Sequence, residues 1–269
     1  MINNNIMEEL REKGYMIFDN VLNEKEIKKA NDLFNKFYDN NSIDVCDTGI
    51  IKSHFVGHQE HAYYIRTRPN VLNIFKKVWN CDELITSFDG TCYMGSEHYY
   101  NKYWTHVDQC YDNTEFSCYQ GLVSLTDNEH KSLLVYENTH KLYDSYVKKY
   151  NLSGSKNFNI IDEDYVKPLE KKIIKVKKGS MILWDSRLFH QNYCGDVENK
   201  EERIVQYVCY FPKDHSNNDE LNKLKRQYAY ENKITTSHWP APMRFASNEE
   251  TKESLFDMEP YEKTLLELL

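Results

Sequence analysis

The chain is predicted to be α+β, with a helical layer at its N-terminal side packed on a β-sandwich or barrel. Amphipathic helical periodicity marks roughly the first eighty residues, and short β-favouring runs separated by turn signals fill the stretch from about 83 onward. Strands and helices do not alternate strictly, so a parallel sheet built from βαβ units is excluded. With 269 residues, 40% hydrophobic and 14% aromatic, the chain can bury a large core, and one domain over 1–269 is expected. Its parts are a helical layer (about 1–82), a β core (about 83–212) and a helical, then irregular tail (213–269).

Each element has a local cause. GYMIFDNV, after Gly14, is a short apolar run that suits a strand leading into a helix. That helix opens at Asn23, with Glu26 three residues on in the pattern of a capping box, and Ile27, Ala30, Phe34 and Phe37/Tyr38 share one face. Pro69, a good first-turn residue, opens a second helix through NVLNIFKKVWN. The β-like runs are ELITSFDGTCYMG, KYWTHVD, FSCYQGLVSLT, SLLVYEN, KKIIKVKK, SMILWDS and ERIVQYVCYFP, interrupted by a helical insert, HKLYDSYVKKY. DELNKLKRQYAYENK reads as a tail helix and TTSHWPAPMRF as irregular.

A net charge of −8 argues against nucleic acid as a partner, because phosphate binding needs a basic footprint. No apolar run approaches the roughly 18–20 residues that cross a bilayer, and MINNNIMEELREKG lacks the apolar stretch and cleavage site of a leader, so a cytoplasmic home is expected. Seven scattered cysteines with no CxxC read as reduced core residues rather than a disulfide frame or zinc knot.

The candidate chemistry starts at His106-x-Asp108. On a strand these two side chains share a face and can reach one ion. The pair alone is weak: 10 histidines and 42 acids in 269 residues give about 1.6 such pairs by chance, and His58-x-Glu60 is a second one. What distinguishes it is GSMILWDSRLFHQNYCGDVENKEER, where His190 follows a β-like run and Arg203 lies 13 residues further on. Two histidines and a carboxylate form a facial triad suited to non-haem Fe(II), and an arginine supplies a forked, permanently charged donor for a carboxylate. The competing readings are satisfied core histidines and an Arg203 ion pair with Glu201 or Glu202.

GYMIFDNVLNEKEI, HVDQ, LVSLTDNEHKSLLVYENTHK and GSMILWDSRLFHQNYCGD…R, in this order over roughly 14–212, resemble the phytanoyl-CoA dioxygenase-like group of Fe(II)/2-oxoglutarate-dependent oxygenases. The resemblance implies a double-stranded β-helix, or jelly roll, flanked by N-terminal helices. It implies His106, Asp108 and His190 as iron ligands and Arg203 as the partner of the distal carboxylate of 2-oxoglutarate. Asn192, where the family often has a hydroxyl residue, Tyr119 or Gln120 at the start of the strand after HVD, and Lys52 in GIIKSHF complete the cosubstrate site so implied. The cofactors that follow are Fe(II), 2-oxoglutarate and O2, with ascorbate as an optional reductant. YEN departs from the Pro-Gly turn of many relatives. Related iron halogenases lack the carboxylate, so Asp108 argues for hydroxylation or oxidation.

A small-molecule substrate and a monomer or homodimer are expected. Arg66, beside Arg68 in IRTRP, and Trp239 in SHWP are candidate substrate contacts; His54, His58 and His61 are read as substrate-side or surface residues, and His140 as capping or packing at the helical insert. The rival functions are a jelly-roll binding protein without turnover, an oxygenase acting on a protein or nucleic-acid base, and a zinc hydrolase, for which the downstream arginine has no use.

Overall fold

The computed structural model of the protein describes residues 2–100 and 102–269, with side chains from Ile6 onward. Thirteen strands are assigned among them: β1 (Tyr15–Phe18), β2 (Ile50–Ile51), β3 (Leu84–Thr86), β4 (Thr91–Met94), β5 (His106–Val107), β6 (Tyr119–Ser124), β7 (Lys131–Tyr136), β8 (Asn159–Ile160), β9 (Lys171–Ile173), β10 (Met181–Asp185), β11 (His190–Cys194), β12 (Arg203–Val208) and β13 (Tyr210–Pro212). The helices are α1 (Ile2–Lys13), α2 (Glu24–Asp39), α3 (Glu60–Arg66), α4 (Pro69–Trp79), α5 (Tyr143–Lys149), α6 (Glu163–Val166), α7 (Glu220–Glu231) and α8 (Glu259–Glu267).

Two antiparallel sheets face each other. The larger has the order β1-β10-β6-β12-β4-β2, the smaller β8-β5-β11-β7-β9, and β3 pairs with β13 apart from both. Period-two alternation sorts the larger sheet's side chains cleanly. Tyr119, Val123, Met181, Leu183, Ile204 and Val208 face outward, into a core shared with Ile27, Phe34 and Phe37 of α2 and Val71, Ile74 and Phe75 of α4. Leu122, Ile182, Trp184 and Val205 face inward and meet Leu133, Val135 and Cys194 of the smaller sheet. The jelly roll and its covering helices agree with the fold expected for the chain.

The capping box is formed: Asn23 accepts from the backbone of Lys25 and Glu26, and the Glu26 carboxylate accepts from the Asn23 N–H at 3.0 Å. Pro69 opens α4. The departure at YEN has a local remedy, since Asn138 adopts φ +67°, the left-handed geometry that glycine otherwise supplies.

Several expectations change. The strand expected in GYMIFDNV is β1, and with the unexpected β2 it forms the two edges of the larger sheet, so the N-terminal layer contributes to the jelly roll itself. The strand expected over KYWTHVD shrinks to the two residues of β5, just enough to carry His106. His58 and His61 are core residues, not surface or substrate-side ones: both are fully buried. The His58 ring bonds to the Tyr63 hydroxyl and the Ile234 carbonyl, at 2.6 and 2.9 Å. His61 bonds to Thr91 and packs between Phe34 and Phe37. His54 lies next to them but meets only the Ser53 hydroxyl, at 2.9 Å. His140 packs as expected, its Nε2 3.0 Å from the Arg11 carbonyl.

These buried rings give the fold an acid-labile component. Burial holds His58 well below the ordinary histidine range, and burial with the Arg66 charge lowers His61 to about 3. The unfolded chain binds their protons more tightly, so this stability is complete above about pH 6.5 and is lost as pH falls towards about 3. Urea unfolding between about pH 6.5 and pH 4 is expected to lose up to about 1.4 kcal/mol per pH unit for each ring. The slope should be shallower in His61→Phe, and an identical slope in that variant would remove His61 from the account.

Candidate metal centre and its cavity

His190 opens β11 directly opposite His106 of β5, so strand pairing alone brings the two imidazoles side by side, with ring centroids 4.3 Å apart and the rings tilted by 51°. Asp108 shares the inward face with His106, and its backbone N–H donates to the Ser186 carbonyl at 2.9 Å, which ties it to the turn before β11. That turn is braced by Gln109, whose amide oxygen accepts from the Ser186 hydroxyl at 2.6 Å. The three side chains are 6%, 5% and 3% exposed for His106, Asp108 and His190. Their ligand atoms lie within 4.8 Å of one another, the one such cluster found among the described residues.

Both rings are oriented for ligation. The Nδ1 atoms of His106 and His190 lie 3.1 Å from the Trp104 carbonyl and 2.8 Å from the Leu188 carbonyl. An N–H given to a carbonyl fixes the tautomer in which Nε2 carries the free lone pair. Those Nε2 atoms lie 3.7 and 3.2 Å from the Asp108 carboxylate oxygens. Burial and the neighbouring His190 lower His106, the direction that favours the neutral ring a metal ion needs. Burial alone would raise Asp108, but the adjoining His238, His106 and His190 outweigh it and hold the carboxyl well below its usual range.

The cluster opens on a cavity of about 220 Å3 between the sheets. Gln120 faces into it, buried, with neither amide oxygen nor amide nitrogen bonded to any group. Asn192 also lines it and exchanges hydrogen bonds with the Tyr207 hydroxyl, at 2.9 and 3.2 Å. Arg203 lies on the same face of β12 as Tyr207, one layer deeper, and is 1% exposed. Its Nη1 meets only the Cys92 sulphur, at 3.2 Å, its Nε has no partner, and no ion pair is formed by it among the described residues. The ion pair with Glu201 or Glu202 is therefore not made. Glu201 instead accepts the backbone N–H groups of Glu129, His130 and Lys131, and Glu202 takes the Tyr93 hydroxyl.

Other candidates separate by face. Gln120 is in the cavity, whereas Tyr119, its neighbour on β6, points to the helices and packs on Trp79 and Phe116; the one-residue step reverses the side of the sheet. Lys52 and Trp239 line the cavity, Lys52 at its exposed rim. Arg66 does not: it is fully buried, donates to the carbonyls of Gly57 and Asp89, and lies 5.5 Å from the Phe88 ring centre. Its role is to tie segments together, and the expected substrate contact is withdrawn.

Sequence reading missed Tyr207, Trp104, Asp89 and His238. Two of these carry a period-two signal: Tyr207 is four residues after Arg203 on one strand, and Trp104 is two before His106 and stacks on it at 4.8 Å. Asp89 comes from the loop before β4, and burial pushes its carboxyl up. His238 arrives from the tail, with Nε2 3.4 Å from Asp108.

Among curated proteins, Ava biosynthesis cluster protein O of Aspergillus versicolor is 27% identical over 204 residues, which are 69% of this chain. The chain spans 64% of that relative's length. Among solved structures, the epimerase SnoN in complex with Fe3+, alpha ketoglutarate and nogalamycin RO superposes with a TM-score of 0.58 at 12% identity, covering 78% of this chain and 84% of that one. The carbocyclase SnoK from nogalamycin biosynthesis gives 0.61 at 12% identity, with 78% and 84% covered. At such identities these structures establish a shared fold. The sequence profile that describes phytanoyl-CoA dioxygenase matches residues 10–193, the greater part of the chain, and the protein belongs to the phytanoyl-CoA dioxygenase (PhyH) family.

Proposed function

We propose that the protein is an Fe(II)- and 2-oxoglutarate-dependent dioxygenase that hydroxylates or otherwise oxidises a C–H bond of a small molecule, with release of succinate and CO2. The observation that carries this reading is the buried His106/Asp108/His190 cluster opening on a cavity lined by the unpartnered amide of Gln120, with the unpaired Arg203 on the same strand face as the cavity-lining Tyr207. Two imidazoles and one carboxylate would hold an ion from one side and leave its other side open, the donor set of non-haem Fe(II) enzymes. A buried amide with no partner at Gln120 and a buried guanidinium with no counter-charge at Arg203 call for an anionic, hydrogen-bonding guest. A dicarboxylate meets both needs, so the residues fit iron and 2-oxoglutarate together.

When bound, the metal and cosubstrate supply the oxidising power, as cofactors do in general. The chain supplies binding, orientation and exclusion of water. His106 and His190 present Nε2 because their other nitrogens are committed to backbone carbonyls. Gln120 and Asn192 give amide groups to the cosubstrate, Tyr207 gives a hydroxyl, and Arg203 neutralises its distal carboxylate from below. Trp104, Phe158 and Trp239 wall the cavity, where they would orient a substrate carbon next to the His106/Asp108/His190 cluster and limit solvent. Lys52 sits at the mouth, within reach of either carboxylate-bearing guest. The tail belongs to the same catalytic unit, since it lines the cavity.

The test is an anaerobic Fe(II) titration with and without 2-oxoglutarate, followed by succinate release in air. A metal-to-ligand charge-transfer band that needs both additions, and succinate formed only with oxygen, are expected. No band, or a band unchanged in His106→Ala, would sink the reading. A band without succinate would leave a binding protein that has lost turnover.

A further inference from the structure

The proposed metal site leaves one requirement open: a carboxylate that gives one oxygen to an ion needs a donor for the other. Within 4 Å of the Asp108 oxygens lie the Nε2 atoms of three histidines, His106 (3.7 Å), His190 (3.2 Å) and His238 (3.4 Å). The first two have their protons committed through Nδ1 to the Trp104 and Leu188 carbonyls, so with an ion present they offer lone pairs and no N–H. The third, His238, has its Nε2 3.4 Å from Oδ1 of Asp108, close enough for a small ring rotation to make a hydrogen bond that is not formed here. It is not itself a fourth ligand, for it does not join the set of ligand atoms within 4.8 Å of one another.

The position of His238 is built. The Thr236 N–H donates to the Phe88 carbonyl at 2.8 Å, and the Thr236 hydroxyl accepts from the Phe88 N–H at 2.9 Å. Across the loop, the Ser237 N–H donates to the Arg244 carbonyl at 2.8 Å, and Thr235 accepts from the Ala246 N–H at 2.9 Å. Trp239, 4% exposed, is wedged against Phe211 on the other side. Arg244 bolts the loop tip to the Ser155 carbonyl at 3.0 Å. These anchors fix the backbone that carries His238, and with it the distance of its ring from Asp108.

We propose that His238, delivered by the C-terminal loop, is a positioning residue of the metal centre: it holds the oxygen of Asp108 that does not bind the ion, and so keeps that carboxylate monodentate. The inference rests on the metal-site reading above. It makes the tail a working part of the centre, 48 residues beyond His190. Groups that support a metal ligand in this way typically matter by 10–100-fold in metal affinity.

The test is an anaerobic Co(II) titration of the full chain, reading both affinity and the visible d–d spectrum, for wild type, His238→Phe, His238→Ala and His238→Gln. Phenylalanine keeps the ring and loses the donor; glutamine keeps a donor and loses the ring. His238→Phe and His238→Ala are expected to bind Co(II) on the order of 10–100-fold more weakly with an altered spectrum, and His238→Gln to stay close to wild type. Near-UV circular dichroism identifies a misfolded variant, and the alanine variant, which only deletes atoms, then stands in for phenylalanine. Wild-type affinity in a folded donor-free variant, or equal weakening in the glutamine variant, overturns the assignment. Wild type that binds Co(II) but shows no Fe(II)/2-oxoglutarate band overturns the proposed function alone. Wild type that binds no metal overturns both.

Discussion

Asp108→Ala is expected to remove the Fe(II)/2-oxoglutarate charge-transfer band and all 2-oxoglutarate-dependent succinate formation. The physical reason is that Asp108 is the only charged member of the cluster and lies within 4 Å of three histidines, His106, His190 and His238. Without it two imidazoles face an ion with no neutralising charge, in a site buried from water, where an uncompensated charge is costly. Metal affinity should fall by more than the roughly 100-fold that loss of a merely supporting group produces. The paired control is His130→Ala, an exposed histidine on the loop before β7, which should leave both readouts unchanged. An Asp108→Ala protein that keeps the band would show that the metal sits elsewhere.

Arg203→Met is expected to move stability and cosubstrate binding in opposite directions. The guanidinium is 1% exposed with a sulphur as its hydrogen-bond acceptor, so in the empty protein it is a buried charge with no counter-charge. Replacing buried charge by a well-packed apolar side chain of similar length is typically neutral or stabilising by about 1–4 kcal/mol. Losing the partner of a buried carboxylate costs about 2–5 kcal/mol, so the apparent KM for 2-oxoglutarate should rise by about thirtyfold or more. Urea unfolding without ligand and succinate kinetics separate the two effects. A variant that is strongly destabilised with an unchanged KM would make Arg203 a packing residue. Tyr207 and Asn192 line the cavity and Arg203 does not, so the prediction requires a cosubstrate that engages Arg203 past these two side chains.

Much of this architecture is legible in local chemistry. The Asn23/Glu26 cap and Pro69 mark helix starts, because each satisfies or avoids the unpaired N–H groups there. The inward set of the larger sheet follows from alternation: once Arg203 points inward, Tyr207 must too, and once Tyr119 points out, Gln120 points in. His106 and Asp108 are readable as a pair for the same reason. Their competitor, His58-x-Glu60, is not separable by spacing. It is set apart by the fold, which buries His58 against Tyr63, Phe88 and Ile234. Arg66 misleads because a basic residue in a polar run looks exposed, and only the packing of Gly57, Phe88 and Asp89 around it shows that it is not.

By itself, then, the order of residues determined the parts whose causes are local: helix starts, strand faces, and the two histidines and carboxylate that a pair of neighbouring strands can share. Tertiary structure alone decided what the rejected pair does instead, with His58 buried in the core, and which arginine is left without a counter-charge. It also decided that a loop from the tail brings His238 to within 3.4 Å of Asp108. The physical reason is distance along the chain. Period-two and helical patterns relate residues a few positions apart. His106 is such a neighbour of Asp108, but its other partners, His190 and His238, lie on a strand and a loop far along the chain, and only long-range packing determines that they meet.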